Sequence, residues 1–242
     1  MKQLTASKLL ISDLEEFQIL EMFSLMENYY NHVSISQFKK DLSEKDILIL
    51  LKDSSNQIQG FSSQKIFSFQ YKNQSLRIVF SGDTVIHKNF RGSLELPIAW
   101  GKFMLEVESN FKEDPLYWML ITKGIRTFRY LPVFFYEFYP NPYTPIPESI
   151  SDLRHTLGLF KFGNQYDRIS GIIRGKEDSQ SIKELEEDEE FILNRSFDPY
   201  IDFFKNRNPG FGNGDELLCL TRFTRKNLRP FIVRALEKEN KK

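Results

Sequence analysis

The run Val85-Ile86-His87-Lys88-Asn89-Phe90-Arg91-Gly92 joins two segments of different period. Before it, 76–86 is apolar and β-branched, the pattern of a strand. After it, Trp100, Phe103, Met104, Val107 and Phe111 recur at helical spacing. Pro97 falls in the first turn of that helix, where a residue without an N–H removes only a donor that would be unpaired. The run is therefore a strand-to-helix junction, and Arg91-Gly92-Ser93 opens the helix. Gly82 and Asp83 interrupt the strand that feeds it; an internal Gly marks a bulge or a close approach of backbone.

Working outward toward the N-terminus, polar turns at Ser54-Ser55-Asn56 and Lys72-Asn73-Gln74 separate apolar runs at 46–51, 58–69 and 76–86. Strand runs split by short turns predict an antiparallel meander. Ahead of it, Ser12 and Glu15 form a capping-box pair. Leu14, Phe17, Leu20 (or Ile19) and Phe23 then place a helix at about 13–28, and a second helix at 35–42 turns Phe38 and Leu42 inward. Toward the C-terminus, 116–121 reads as a buried strand. Ile125, Phe128, Pro132, Phe135 and Phe138 follow at helical spacing, with Pro132 breaking the helix near Leu131. A Pro-rich loop at 140–147, a helix at 149–159 and a strand at 168–173 come next. The stretch 175–212 reads as an insertion, and its first part, 175–190, holds eight acidic residues. Gly212-Asn213-Gly214 is a turn before a strand near 216–223. The chain ends in a helix that packs on Leu228, Phe231, Ile232 and Leu236. There is no internal repeat.

Composition bounds what such a chain does. Its 242 residues are 40% hydrophobic and 14% aromatic, with 23 Phe, too apolar for disorder. Lys and Arg total 33, as do Asp and Glu, so the net charge is zero and no nucleic-acid partner is expected. The neutral total hides a basic end, 221–242, that offsets the acidic insertion and reads as a solvated helix face. One Cys excludes an internal disulfide and a Cys-rich metal site, so no metal is expected, and it fits a reducing compartment. Cys219, inside an apolar run, reads as a buried small hydrophobe. No apolar stretch is long enough to span a membrane and the N-terminus has no leader-like run, so the expected location is cytoplasmic.

The junction resembles the signature of the GCN5-related N-acetyltransferase (GNAT) superfamily, which reads aliphatic, any, Pro, any, aromatic, Arg, Gly. Ile86 stands at the aliphatic place, Phe90 at the aromatic one and Arg91-Gly92 at the basic-Gly pair; Lys88 stands where the family often has Pro. The resemblance implies an α/β fold of the α+β kind: a mixed, mostly antiparallel central sheet flanked by helices, with an extended C-terminal part. It implies a single domain over 1–242, with a core of about 1–175 plus the late strand near 216–223. The co-substrate it implies is acetyl-CoA or another acyl-CoA, and the acceptor an amine on a small molecule or peptide; a homodimer is compatible with it. Backbone N–H groups of Arg91, Gly92 and Ser93 would contact the pyrophosphate, since a helix start offers unpaired donors and a favourable dipole. Ile86 and His87 would flank the pantetheine by main chain, beside Phe90.

The family's loop continues from the Arg with Gly at the third and fifth following positions, where this chain has Leu94 and Leu96. Leu crowds the approach that Gly permits, Glu95 adds negative charge and Pro97 removes a donor. Two readings stay open: a divergent acyl-CoA site, and a scaffold of the same fold that has lost the cofactor and serves binding or interaction.

A second stretch, Thr122-Lys123-Gly124-Ile125-Arg126-Thr127-Phe128-Arg129-Tyr130-Leu131-Pro132, with Phe134-Phe135-Tyr136-Glu137-Phe138-Tyr139-Pro140, looks like a group of bacterial GNAT-like proteins of undefined role. In the family the helix after the fifth strand often supplies a Tyr that protonates the departing thiolate. That implies Tyr130 as the acid, with Tyr136 second. Family bases are commonly carboxylates near the middle strands, which singles out Asp83, with His87 as the alternative; His32 and His155 have no evident company. The Phe residues gather near 61–69 and 134–138, where they are core or line a hydrophobic substrate channel.

Overall fold

The computed structural model describes residues 4–176, 179–183 and 198–239; of the acidic run expected at 175–190, residues 177–178 and 184–190 lie outside them. Contacts divide the chain into two compact units: Met1–Asn28 with Val33–Trp118 and Phe223–Lys242, and Tyr29–His32 with Met119–Arg222.

In the first unit, β1 (Leu4–Leu10), β3 (Ile47–Asp53), β4 (Ile58–Tyr71) and β5 (Gln74–Ile86) neighbour one another in that order, each pair antiparallel. Asn56, Lys72 and Asn73 make the two expected turns with φ of 63°, 45° and 62°. β1 was not expected. It is an edge strand with one buried residue, Leu4, so it lacks the alternation that marks a half-buried strand. The first helix, α1 (Glu16–Glu27), is capped by Glu15 and Gln18 in place of Ser12 and Glu15, and the Ser12 hydroxyl donates to Asp13 instead. Its buried face is Met22, Leu25 and Met26, while Phe17 and Leu20 are 58% and 48% exposed.

Residues 47–51 of β3 are buried in succession, which requires cover on both faces of the sheet. On one face, Phe38 of α2 (Ile35–Ser43) stacks edge-on against Phe61 of β4 and tilts against Phe23 of α1. Ser62 is the next residue along β4 and so points to the other face. There, Trp100 of α3 (Glu95–Asn110) lies 4.4 Å, ring to ring, from Trp118 at the start of β6 (Leu116–Thr122). The C-terminal helix, α8 (Pro230–Glu239), packs against α3, with Leu236 over Gly101. Leu228, Ile232 and Leu236 are buried as expected, but Phe231 is 39% exposed.

The second unit holds the rest of β6 beside β10 (Glu216–Arg222), which pairs antiparallel with β8 (Ile172–Ile173) and through it with β7 (Tyr166–Asp167). The expected strand at 168–173 is thus the turn and second arm of a tight hairpin. Asp167 Oδ1 accepts from the Ile169 and Ser170 N–H groups, and Gly171 takes φ of 76°. A separate pair, β2 (Tyr30–Asn31) with β9 (Ser181–Ile182), is antiparallel too. The helix expected from Gly124 through Phe138 is two short pieces, α4 (Ile125–Phe128) and α5 (Tyr130–Phe134). Pro132 has no N–H for the Phe128 carbonyl, so the ladder parts there. Phe135 and Phe138 leave the helix yet stay fully buried. With α6 (Glu148–Phe162) and α7 (Pro199–Arg207), the unit builds its core around Phe128, whose ring lies 5.3 Å from Phe204, 6.1 Å from Phe203 and 6.2 Å from Phe138.

Cys219 is fully buried in β10, and burial pushes its thiol up to about 12. A thiol held protonated does not attack. Iodoacetamide at pH 8 is therefore expected to leave the native chain unmodified and to label one site once denatured; intact mass reads the difference. Among the described residues no helix is long and apolar enough to cross a membrane.

Candidate functional site

The site begins at an irregularity in β5. Gln64 of β4 pairs with Ser81 and Ser62 pairs with Thr84, so Ser63 alone opposes both Gly82 and Asp83. That is the bulge the sequence anticipated, and it re-aims the strand just ahead of its end. Gly82 is there for space: a Cβ would lie 2.5 Å from Lys45 Cε and 2.8 Å from Ser63 Oγ. Asp83 is half-buried within the bulge.

β5 ends at Ile86, which pairs with Gly60, and the ladder reaches one bond further through the His87 N–H to the Gln59 carbonyl. A tight turn follows. His87 Nδ1 accepts from the Asn89 N–H at 3.3 Å, and its ring meets buried Phe90 edge-on at 6.1 Å. His87 thus caps this turn. The N–H groups of Phe90, Arg91 and Ser93 donate to the carbonyls of His87, Lys88 and Phe90. Gly92 turns the chain with φ of 91°, a conformation that favours Gly; a Cβ there would meet nothing within 4 Å, so backbone strain and not space selects it. The Ser93 hydroxyl accepts from the Glu95 N–H at 3.2 Å. Among the described residues no acceptor meets the N–H groups of Gly92, Leu94 or Leu96.

The departures from the family loop resolve individually. Leu96 and Pro97 are buried, so their side chains belong to the core and leave the turn open. Leu94 is 51% exposed at the turn itself. Arg91 and Ser93 are half-buried, and Gly92 is exposed. The structure thus brings Asp83, Ile86, His87, Phe90, Arg91, Gly92 and Ser93 together on one strand end and turn.

Tyr130 belongs to the second unit. It opens α5, half-buried, with its ring 5.4 Å from that of Phe134, and burial raises its phenol above the usual value of 10. Arg129 beside it forms an ion pair with Asp198. Tyr136 is 48% exposed on the segment after α5. His155 has company that the sequence did not disclose: its Nδ1 lies 2.7 Å from the Tyr166 hydroxyl and its Nε2 3.2 Å from Ser151 Oγ. Burial and the charges of Arg154 and Arg168 lower its pKa, so it is a neutral hydrogen-bonding residue at pH 7. Among the described residues no group of three or more His, Cys, Asp or Glu is placed to hold a metal ion.

No protein-family model matches the chain, and no curated protein matches it. Solved structures similar to it include a conserved protein of unknown function from Enterococcus faecalis, 16% identical over 53% of this chain and 31% of that one, with a TM-score of 0.39. Glucosamine-6-phosphate N-acetyltransferase from Arabidopsis thaliana is 16% identical over 49% of this chain and 82% of its own, with a TM-score of 0.35. The GNAT family N-acetyltransferase YhbS from Escherichia coli, in complex with CoA, is 13% identical over 55% of this chain and 71% of its own, with a TM-score of 0.36. This chain therefore spans under a third of the Enterococcus protein. Each of these likenesses covers about half of this chain.

Proposed function

We propose that the chain is an acyl-CoA-dependent acyltransferase that passes an acyl group, acetyl in the simplest case, to an amine. The observation that carries the reading is the turn after β5. Three backbone donors, on Gly92, Leu94 and Leu96, lie within one turn at the start of a 16-residue helix, and Arg91 belongs to the same turn. Donors of that kind, the helix dipole and an arginine on the same turn suit a diphosphate. Ser93 supports the turn through its hydroxyl, and Phe90 anchors it in the core. Ile86 would offer main chain to the pantetheine; the His87 N–H is taken by the Gln59 carbonyl, so His87 would offer only its carbonyl, which already accepts from the Phe90 N–H.

In the reaction the amine nitrogen attacks the thioester carbonyl. Asp83 takes the proton the amine loses, directly or through water. The C–S bond breaks as the carbonyl re-forms, and the thiolate takes a proton from the Tyr130 hydroxyl. The acceptor would be a small-molecule or peptide amine. The test is release of free CoA thiol from acetyl-CoA and longer acyl-CoAs in the presence of a panel of amines. Amine-dependent thiol release supports the reading, and none with any pair contradicts it.

A second reading, a binding or interaction protein without turnover, draws on the same turn. Four of its N–H groups, on Phe90, Arg91, Ser93 and Glu95, are already bonded within the turn, and exposed Leu94 stands at its surface. Acyl-CoA binding without thiol release would favour it.

A further inference from the structure

β4 and β5 carry polar side chains deep in an apolar unit. Gln64 is fully buried, and Ser62 and Ser81 are 4% and 3% exposed. Trp118 Nε1 donates to Ser81 Oγ at 2.8 Å, and Ser81 Oγ donates to Gln64 Oε1 at 2.6 Å. Gln64 Nε2 donates to Ser62 Oγ at 2.7 Å, and Ser62 Oγ lies 2.6 Å from Thr84 Oγ1. An indole N–H only donates, so Ser81 accepts in the first link and keeps its own proton to give. Ser81 gives its proton to Gln64, which presents its oxygen to Ser81 and its NH2 to Ser62. Ser62 is left to donate to Thr84, whose hydroxyl reaches the Gly82 carbonyl at 3.4 Å. The chain of bonds starts under α3 and ends inside the bulge.

Its geometry ties it to that bulge. Residues three apart on a regular strand point to opposite faces. Ser81 and Thr84 are three apart, yet both join one chain with Ser62 and Gln64, which are two apart on β4. This works because the extra residue sits between them, at Gly82-Asp83. A bulge displaced along β5 would turn Ser81 or Thr84 to the far face. The Gln64 amide would then stay buried with its bonds unmet, a costly state in a low-dielectric interior.

We infer that this hydrogen-bond chain is a register lock for the bulge, and that Gln64 is a positioning residue for Asp83. The lock is a property of the two strands; its consequence for turnover rests on the acyltransferase reading above. Polar groups buried to choose one register over another are a known use of such residues.

The experiment pairs Gln64→Met, which keeps the volume and removes both amide functions, with Trp118→Phe, which keeps an aromatic ring but removes the indole N–H together with part of the packed volume. Hydrogen exchange is followed in peptides covering 79–86 and, as a gauge of global stability, 47–53. For Gln64→Met, exchange at 79–86 is expected to rise about tenfold or more while 47–53 stays within about threefold. The kcat is expected to fall about tenfold or more, with the Kd for acetyl-CoA within about threefold of the parent. Trp118→Phe leaves the links from Ser81 to Thr84 in place; for this control the lost packing is expected to raise exchange in both peptides alike, with kcat and the Kd for acetyl-CoA changed by less than about threefold. If Gln64→Met does not fold, Ser81→Ala cuts the same chain one link earlier and is read in the same way. For Gln64→Met, exchange that rises equally in both peptides, or does not rise at 79–86, overturns the lock. Local exchange as expected with kcat unchanged overturns the positioning role. If the parent chain shows no transfer but 79–86 loosens alone, the lock stands and the acyltransferase reading falls.

Discussion

Tyr130→Phe is expected to lower kcat for acyl transfer by about a hundredfold or more while the Kd for acyl-CoA stays unchanged. The hydroxyl is asked to act only as the C–S bond breaks, so its loss falls on the transition state and not on binding. Burial raises the Tyr130 phenol above 10, and the reaction needs it protonated. At neutral pH every molecule therefore carries the proton, and any alkaline loss of kcat due to this group lies above pH 10. Phe keeps the packing against Phe134, 5.4 Å away, so the substitution removes the proton and little else. Steady-state kinetics beside a binding titration separates the outcomes. A kcat unchanged by the substitution removes Tyr130 from the mechanism, and Tyr136→Phe becomes the informative variant.

Phe128→Ala is expected to cost about 3–5 kcal/mol of stability. Phe128 is fully buried at the junction of three other rings, those of Phe138, Phe203 and Phe204. Truncation leaves a cavity walled by the ring of Phe138 from a loop and those of Phe203 and Phe204 from α7. Set against a total stability of about 5–15 kcal/mol, such a loss leaves the second unit marginal. Urea unfolding followed by fluorescence reads it as a lower midpoint at unchanged slope. Phe160, 66% exposed on α6, is the control: its replacement by Ala should shift stability by no more than about 0.5 kcal/mol. Equal effects at the two positions would show that the Phe-rich segment is not the core of this unit.

What the sequence disclosed about the fold was mostly local. Gly82 and Asp83 announced a bulge because an internal Gly beside an acid is out of place in a strand rich in β-branched residues, and Pro97 placed the first turn of α3 because it is tolerated only there. β1 was illegible because an edge strand with one buried side chain has no period to read. The inward face of α1 was misassigned because Met22, Leu25 and Met26 fit helical spacing as well as Phe17 and Leu20 do, and only the packed unit chooses between them. The end of α5 at Phe134 follows from Pro132, but the apolar spacing of Phe135 and Phe138 persists past it because both remain core in an extended segment.

The site was legible to the same degree. Its turn lies in one continuous stretch, so Ile86 through Ser93 were found together. The fate of Leu94 and Leu96 was not legible: a helix start exposes one and buries the other, and spacing alone does not say which. The Gln64 chain was hidden for a different reason. The Ser62–Gln64 pair, Ser81 and Trp118 are far apart in sequence, and only the strand register with its bulge brings them into line.

The central claim is that the turn after β5 binds the diphosphate of acyl-CoA. Calorimetric titration of acetyl-CoA and a longer acyl-CoA into the full chain, beside the Arg91→Ala variant, tests it most directly. The expected result is saturable binding at one site, weakened about tenfold or more by Arg91→Ala through loss of charge-assisted contacts to phosphate. No binding of either acyl-CoA, or binding indifferent to Arg91, would contradict it.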